Sequence, residues 1–188
     1  MTNQKHIIFA FIGASGSGKT TIMIELLNFL PHLQIIKSTS TRPRRDDYDD
    51  LFYKFVDEAY AQDRQNQAGF LSHEIYSGNH YIYERQNLDE CLISHCGIFA
   101  IIESTVPTLR AQGYHLVLIK VIPDRDWELD RSLVREKADD EREKQSNLQF
   151  DLVIKNSFKP GGLEKSVQEA AKFISETISS IEIPEIFR

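Results

Sequence analysis

Short apolar runs alternate along the chain with stretches of helical period. His6–Ile12, Gln34–Lys37, Ile98–Glu103, His115–Ile122 and Leu152–Lys155 each read as a core strand. A strand covered on both faces has no polar side, so it appears as a run rather than as an alternation. Helical spacing appears between these runs, over Lys19–Leu30, Glu84–Cys96 and Asp124–Lys144, and again from about Leu163 to Ser179. In the second of these, Leu88, Cys91, Leu92 and His95 share one face. Alternation of strand and helix predicts an α/β fold, a mostly parallel sheet with helices on both faces. Ligands of such sheets sit at the carboxyl ends of the strands.

One section breaks the rhythm. From Ser38 to Tyr83 the strands are shorter and half polar: Phe52–Val56, then Gly69–Tyr76, turning through Ser77-Gly78-Asn79-His80 into Tyr81-Ile82-Tyr83. A short polar helix, about Glu58 to Gln67, lies between them. The pattern predicts a single domain. Residues 1–37, 84–123 and 145–180 form its core, 38–83 an inserted α+β subdomain, and 124–144 a short helical lid. The tail from Ile181 to Arg188 contains Pro184 and is expected to be loosely held.

The strongest chemical signal lies between the first strand and the first helix. Gly13-Ala14-Ser15-Gly16-Ser17-Gly18-Lys19-Thr20 is a complete phosphate-binding loop in the strand–loop–helix context that such a loop requires. Its glycines let backbone N–H groups converge on one anion, and the helix adds its positive end. Lys19 is placed to reach the β- and γ-phosphates of ATP, the Thr20 hydroxyl to ligate Mg²⁺, and Thr21 continues the same turn. The loop therefore predicts a P-loop NTPase fold that binds a nucleoside triphosphate.

Composition narrows the remaining classes. The 188 residues carry a net charge of −6, which argues against a general nucleic-acid binder. No apolar run approaches the ~20 residues of a membrane span. Met1-Thr2-Asn3-Gln4-Lys5 leads straight into a strand and does not read as a signal peptide. Cys91 and Cys96 fall on one expected helix, five apart, and read as thiols rather than as a disulfide. Together these features suit a cytoplasmic enzyme.

A second cluster follows the second strand. Lys37-Ser38-Thr39-Ser40-Thr41-Arg42-Pro43-Arg44-Arg45 crowds hydroxyls and guanidinium groups in a way that suits a phosphate monoester. The competing arrangement is a solvated loop in which these arginines pair with Asp46, Asp47, Asp49 and Asp50.

With these residues in view, the chain resembles the guanylate kinase family of nucleoside monophosphate kinases. The phosphate loop, the Ser-x-x-Thr-Arg segment, the Tyr-Lys-Phe-Val strand and the Gly-Asn-x-Tyr turn come in that family's order and spacing, from about Ile7 to Ala171. The resemblance implies that Ser38, Arg42 and one of Arg44 or Arg45 hold an acceptor phosphate, with Tyr53 and Tyr81 donating hydroxyls to it. It places Asn156 near the donor nucleotide's base. It also implies that Arg131, Arg135 and Arg142, which share one stripe of the lid, close over the phosphates. The partners implied are ATP with Mg²⁺ and a nucleotide or phosphorylated small-molecule acceptor.

Three positions depart from the family pattern. The Glu that reads guanine is Ser72 here, with Glu74 two residues on and ~7 Å further along the strand. An Asp-x-Asp pair becomes Glu103 and Thr105, and a Gly-Ser pair becomes Ile82 and Tyr83. Glu103 either orients metal-bound water or an acceptor hydroxyl, or is a plain strand-end carboxylate. All three changes fall at the acceptor's base or its rim. His73 and His80 are expected near that pocket. Four functions stay open: a guanylate-kinase-like kinase, a kinase of a phosphorylated sugar, a non-catalytic binding module, and a regulatory ATPase.

Overall fold

The computed structural model describes residues 7–124 and 147–181. Its main sheet is built from β1 (Ile7–Ile12), β2 (Leu33–Ile35), β7 (Cys96–Ala100), β8 (His115–Pro123) and β9 (Leu152–Asn156). The strand order is β2-β7-β1-β8-β9, and every pairing is parallel. All five core strands expected from the apolar runs are present. β7 starts two residues earlier and ends three residues earlier than its apolar run.

β1 shows why such a strand reads as a continuous run. Ile7, Phe9 and Phe11 pack with Ile22, Met23 and Leu26 of α1 (Lys19–Phe29) and with Val167, Ala170 and Ile174 of α6 (Gly162–Ile181). Ile8, Ala10 and Ile12 face the other way, toward Leu88, Cys91 and Leu92 of α4 (Arg85–Leu92) and Val106 and Leu109 of α5 (Thr105–Ala111). Successive side chains point to opposite faces, and both faces are covered.

A second sheet holds β3 (Ser38–Ser40), β4 (Tyr53–Phe55), β5 (Phe70–Tyr76) and β6 (Asn79–Glu84), in the order β4-β3-β6-β5. β3 and β4 run parallel, and the other pairs are antiparallel. Ser77 and Gly78, at φ 51° and 75°, make the two-residue turn between β5 and β6. α2 (Asp49–Phe52) and α3 (Glu58–Arg64) complete this half, and Asp57 caps α3 by accepting the Tyr60 N–H at 2.7 Å.

Several expectations need correcting. The segment read as a loop after the second strand begins with β3, whose Ser-Thr-Ser sequence has no apolar signal. Its buried hydroxyls find partners instead: Thr39 Oγ1 donates to Glu84, and Ser40 Oγ donates to the His80 carbonyl at 2.8 Å. Glu84 is itself buried against Arg64, at 2.5 Å. α5 was not expected, and it contains Pro107. It sits in the first turn, where its missing N–H has no intrahelical role. Cys96 lies in β7 rather than on a helix, and neither cysteine is in a disulfide. Apart from Asp124, the lid expected over 124–144 lies outside the described residues, as does the tail beyond Ile181. Among the described residues no helix is long and apolar enough to cross a membrane.

Phe9 is fully buried at the centre of this packing. Phe9→Ala is expected to cost about 3–5 kcal/mol of unfolding free energy in a denaturant titration. A loss below about 1 kcal/mol would contradict the central place of β1.

Candidate active site

The phosphate-binding loop leaves β1 at Ile12 and enters α1 at Lys19. A turn from Ser17 N to the Ala14 carbonyl, 3.2 Å, closes it. Two glycines are obligatory. At Gly13 a Cβ would stand 2.2 Å from the Val121 carbonyl oxygen. At Gly18, with φ 90°, it would stand 2.2 Å from Asn156 Nδ2. α1 has no side-chain cap and no acidic residue in its first turn. Its first N–H groups are therefore left to an anion. Lys19 Nζ donates to the Gly13 and Ala14 carbonyls at 2.6 and 2.7 Å, lying across the loop. Thr20 and Thr21 are exposed at the same turn.

Behind the loop stands a buried relay. Asn156, 1 % exposed at the end of β9, donates Nδ2–H to the Ser17 carbonyl at 3.0 Å. Its Oδ1 accepts the Ser166 hydroxyl of α6 at 2.9 Å. The resemblance implies a place for Asn156 near the donor nucleotide's base. In the structure its amide bonds the loop backbone and Ser166, a residue the sequence did not single out.

Across from the loop, the segment after β3 presents Arg42 and Arg45, the second sheet presents Tyr53 and Tyr81, and one continuous cleft joins the two sides. Arg42 is only 4 % exposed. Its guanidinium pairs with Asp49, donates to the Pro43 carbonyl at 3.0 Å, and lies 4.2 Å from the Tyr53 ring centroid. Asp49 also accepts the Arg45 backbone N–H at 2.7 Å. Burial works to raise the Asp49 carboxyl, but the Arg42 hydrogen bond and charge, with the backbone donors, hold it below its ordinary value. Burial pushes the Tyr53 hydroxyl up, against the opposing charge of Arg42. Glu103 and Lys120 line the cleft from the ends of the main sheet.

The other expected residues lie elsewhere. Arg44 pairs with exposed Asp50 and faces a neighbouring groove with Lys37 and Lys54, on the other side of Arg42 and Tyr53, which line both. Ser38 is 2 % exposed in β3, beside Tyr53 in register. Ser72 and Glu74 share a face of β5, Ser72 Oγ donating to Glu74 Oε1 at 3.4 Å, and stand in register with Tyr83 and Tyr81 of β6, on the same face as those tyrosines. The strand irregularity lies between Phe70 and Ser72, upstream of this pair. Thr105 is fully buried at the start of α5. Tyr76 and Tyr83 also line the cleft. His73 and His80 stack on each other at 4.8 Å, with a 2.8 Å contact between ring nitrogens, and do not line it. Arg131, Arg135 and Arg142 lie outside the described residues.

A central parallel strand that delivers this loop to the start of a helix, at the carboxyl edge of a sheet covered on both faces, defines the P-loop NTPase fold. The affiliation is narrower still. The guanylate kinase family profile matches residues 4–177, and the chain belongs to that family. A guanylate kinase of Chlorobium chlorochromatii is 36 % identical over 75 residues, which are 39 % of this chain and 40 % of that protein. The match thus spans less than half of that relative. A guanylate kinase of a Synechocystis species is 24 % identical over 93 % of this chain and 96 % of its own length. The crystal structure of guanylate kinase from Anaplasma phagocytophilum superposes with a TM-score of 0.67 over 97 % of this chain and 89 % of that one, at 20 % identity, a likeness of fold.

Removing Asp49's charge tests the pair behind the cleft. Asp49→Asn leaves Arg42 buried without its counter-charge, at an expected cost of about 3–5 kcal/mol near neutral pH. Because the folded-state pKa is depressed, the wild-type advantage is full above the ordinary value of 3.8 and fades as pH falls through the lower folded value. Denaturant titrations of both proteins across acid pH should converge. A gap that persists at the acid end contradicts the assignment.

Proposed function

We propose that the protein catalyses ATP-dependent phosphoryl transfer to a phosphomonoester, as a nucleoside monophosphate kinase of the guanylate kinase type. The observation that carries this reading is the single cleft that joins the phosphate-binding loop to Arg42, Arg45, Tyr53 and Tyr81. A donor site and an anion site that share one space are what a direct transfer needs.

In this reading the loop amides, the start of α1 and Lys19 hold the triphosphate of ATP. Lys19 exchanges its two carbonyl partners for phosphate oxygens. Arg45 and the Tyr53 and Tyr81 hydroxyls hold the acceptor phosphate, with Arg42 fixed behind them by Asp49. Arg45 is favoured over Arg44 because it lines the cleft, whereas Arg44 is paired with Asp50 outside it. An oxygen of the acceptor phosphate attacks the γ-phosphorus. The bond from that phosphorus to the bridging oxygen breaks, and ADP leaves with the electron pair. Arg131, Arg135 and Arg142 are proposed to close over the phosphates, adding positive charge and excluding water.

The donor set suits Mg²⁺. The exposed Thr20 hydroxyl and the Glu103 carboxylate of the cleft are hard oxygen ligands near the loop. The ion would neutralise charge on the β- and γ-phosphates. The intact loop counts against a binding module that has no need of ATP, and the arginine side of the cleft counts against an ATPase with no acceptor.

The test is ADP release from Mg-ATP with a panel of nucleoside monophosphates and ribose phosphates. Acceptor-dependent release is expected. Arg45→Ala is expected to cut it at least tenfold while leaving Mg-ATP binding intact, and Arg44→Ala to change it less than threefold. ADP release that no acceptor stimulates, despite ATP binding, would contradict the proposal.

A further inference from the structure

The phosphate-binding loop stands between two sides of the main sheet. The second sheet leaves the chain after β2 and returns through α4 to β7, and both of those strands lie on one side of β1. β8 and β9 lie on the other side. The arginine cleft is lined by Gly13, Gly16, Lys19 and Thr20 of the loop, and by no residue of β9 or of the turn that follows it. In-line transfer puts the acceptor and the leaving group on opposite sides of the γ-phosphorus. ATP that presents this phosphorus to Arg45 therefore sends its nucleoside the other way, toward β9.

An aromatic ring lies at that edge. Phe158 follows the end of β9 by two residues and is 38 % exposed. Its ring reaches the last glycine of the loop: a Cβ built on Gly18 would stand 3.8 Å from Phe158 Cζ. A single exposed apolar side chain is common on protein surfaces and means little alone. This one is held in position. Two residues back, Asn156 bonds the Ser17 carbonyl and Ser166. The Lys159 N–H donates to Ser157 Oγ at 3.4 Å, and the Gly162 N–H donates to the Lys159 carbonyl at 2.9 Å. A side chain at Gly162 would run into the Ser157 carbonyl. The turn between β9 and α6 is thus braced on both flanks, and it fixes Phe158 beside the start of α1.

Asn156 is not available to meet a base itself. It is 1 % exposed, and both ends of its amide are engaged. What the surface offers at this point is the Phe158 ring. An aromatic face takes the face of a heterocyclic base by stacking, and removing such a ring weakens binding roughly fivefold or more. We infer that Phe158 holds the purine of the donor nucleotide, packing against the face of the base at the β9 edge of the loop. The phosphates are left to the loop amides and Lys19. The inference rests on the ATP-binding half of the proposed function and deepens it by naming a positioning residue for the donor.

The experiment is calorimetric titration of the wild type, Phe158→Ala and Phe158→Tyr with ATP and with inorganic tripolyphosphate, each with Mg²⁺. Tripolyphosphate has no base, so it reports on the loop alone. In Phe158→Ala the loss of ATP affinity should exceed the loss of tripolyphosphate affinity by at least about fivefold. A smaller excess overturns the inference, because the ring would then act on the loop or not at all. Phe158→Tyr keeps an aromatic face and should bind ATP within about threefold of the wild type, and a larger loss overturns the inference. If neither ligand binds the wild type, the phosphoryl-transfer reading falls and takes the inference with it. Should the variants fail to fold, photolabelling of the wild type with 8-azido-ATP decides. Label on residues 156–160 that excess ATP prevents supports the inference, and its absence from that segment overturns it.

Discussion

The rest of the structure depends on the close approach of the phosphate-binding loop to the strands behind it. Gly13 sits so near the Val121 carbonyl that no side chain fits, and Gly18 is equally tight against Asn156. Those contacts fix the loop to β8 and β9 while β1 delivers it from the centre of the sheet. The Asn156–Ser17 and Ser166–Asn156 hydrogen bonds extend the same restraint to α6. An anion-binding concavity made of backbone amides works only if its curvature is set before the ligand arrives. Here it is set by packing on one side and by a buried hydrogen-bond relay on the other.

The opposite wall meets a different demand. Arg42 is almost completely buried, and a guanidinium withdrawn from water needs a counter-charge. Asp49 supplies it and also holds the Arg45 backbone, so the two arginines of the cleft depend on one carboxylate. The chain as a whole carries a net charge of −6, yet this cleft brings Lys19, Arg42, Arg45 and Lys120 together. That local concentration of positive charge, against an acidic background, suits a small phosphorylated ligand rather than a nucleic acid.

The main sheet and the loop were legible in the sequence because each follows a local rule. Strands covered on both faces leave apolar runs, and the loop's glycines and lysine have fixed spacing. β3 was not legible, since Ser-Thr-Ser becomes a strand only through its neighbours: Thr39 depends on Glu84, and Ser40 on the His80 carbonyl. Sequence spacing could not choose between Arg44 and Arg45, whereas the direction of each side chain separates them. Asn156 stood out by position, but its partner Ser166 lies ten residues on, across a turn that no pattern marks. Tyr83 was visible as an unusual residue. Its span from β6 to Ile102 needs both sheets in place.

The central claim is that donor and acceptor phosphates occupy one cleft, and calorimetric titration with adenosine 5′-pentaphosphate tests it most directly. This compound carries the triphosphate of ATP extended by further phosphates and has no second organic group. Its terminal phosphate should reach the arginine side of the cleft, and the account predicts that it binds at least tenfold more tightly than ATP. Equal affinity for the two would mean that the loop and the arginines do not serve one ligand space, and would contradict the account.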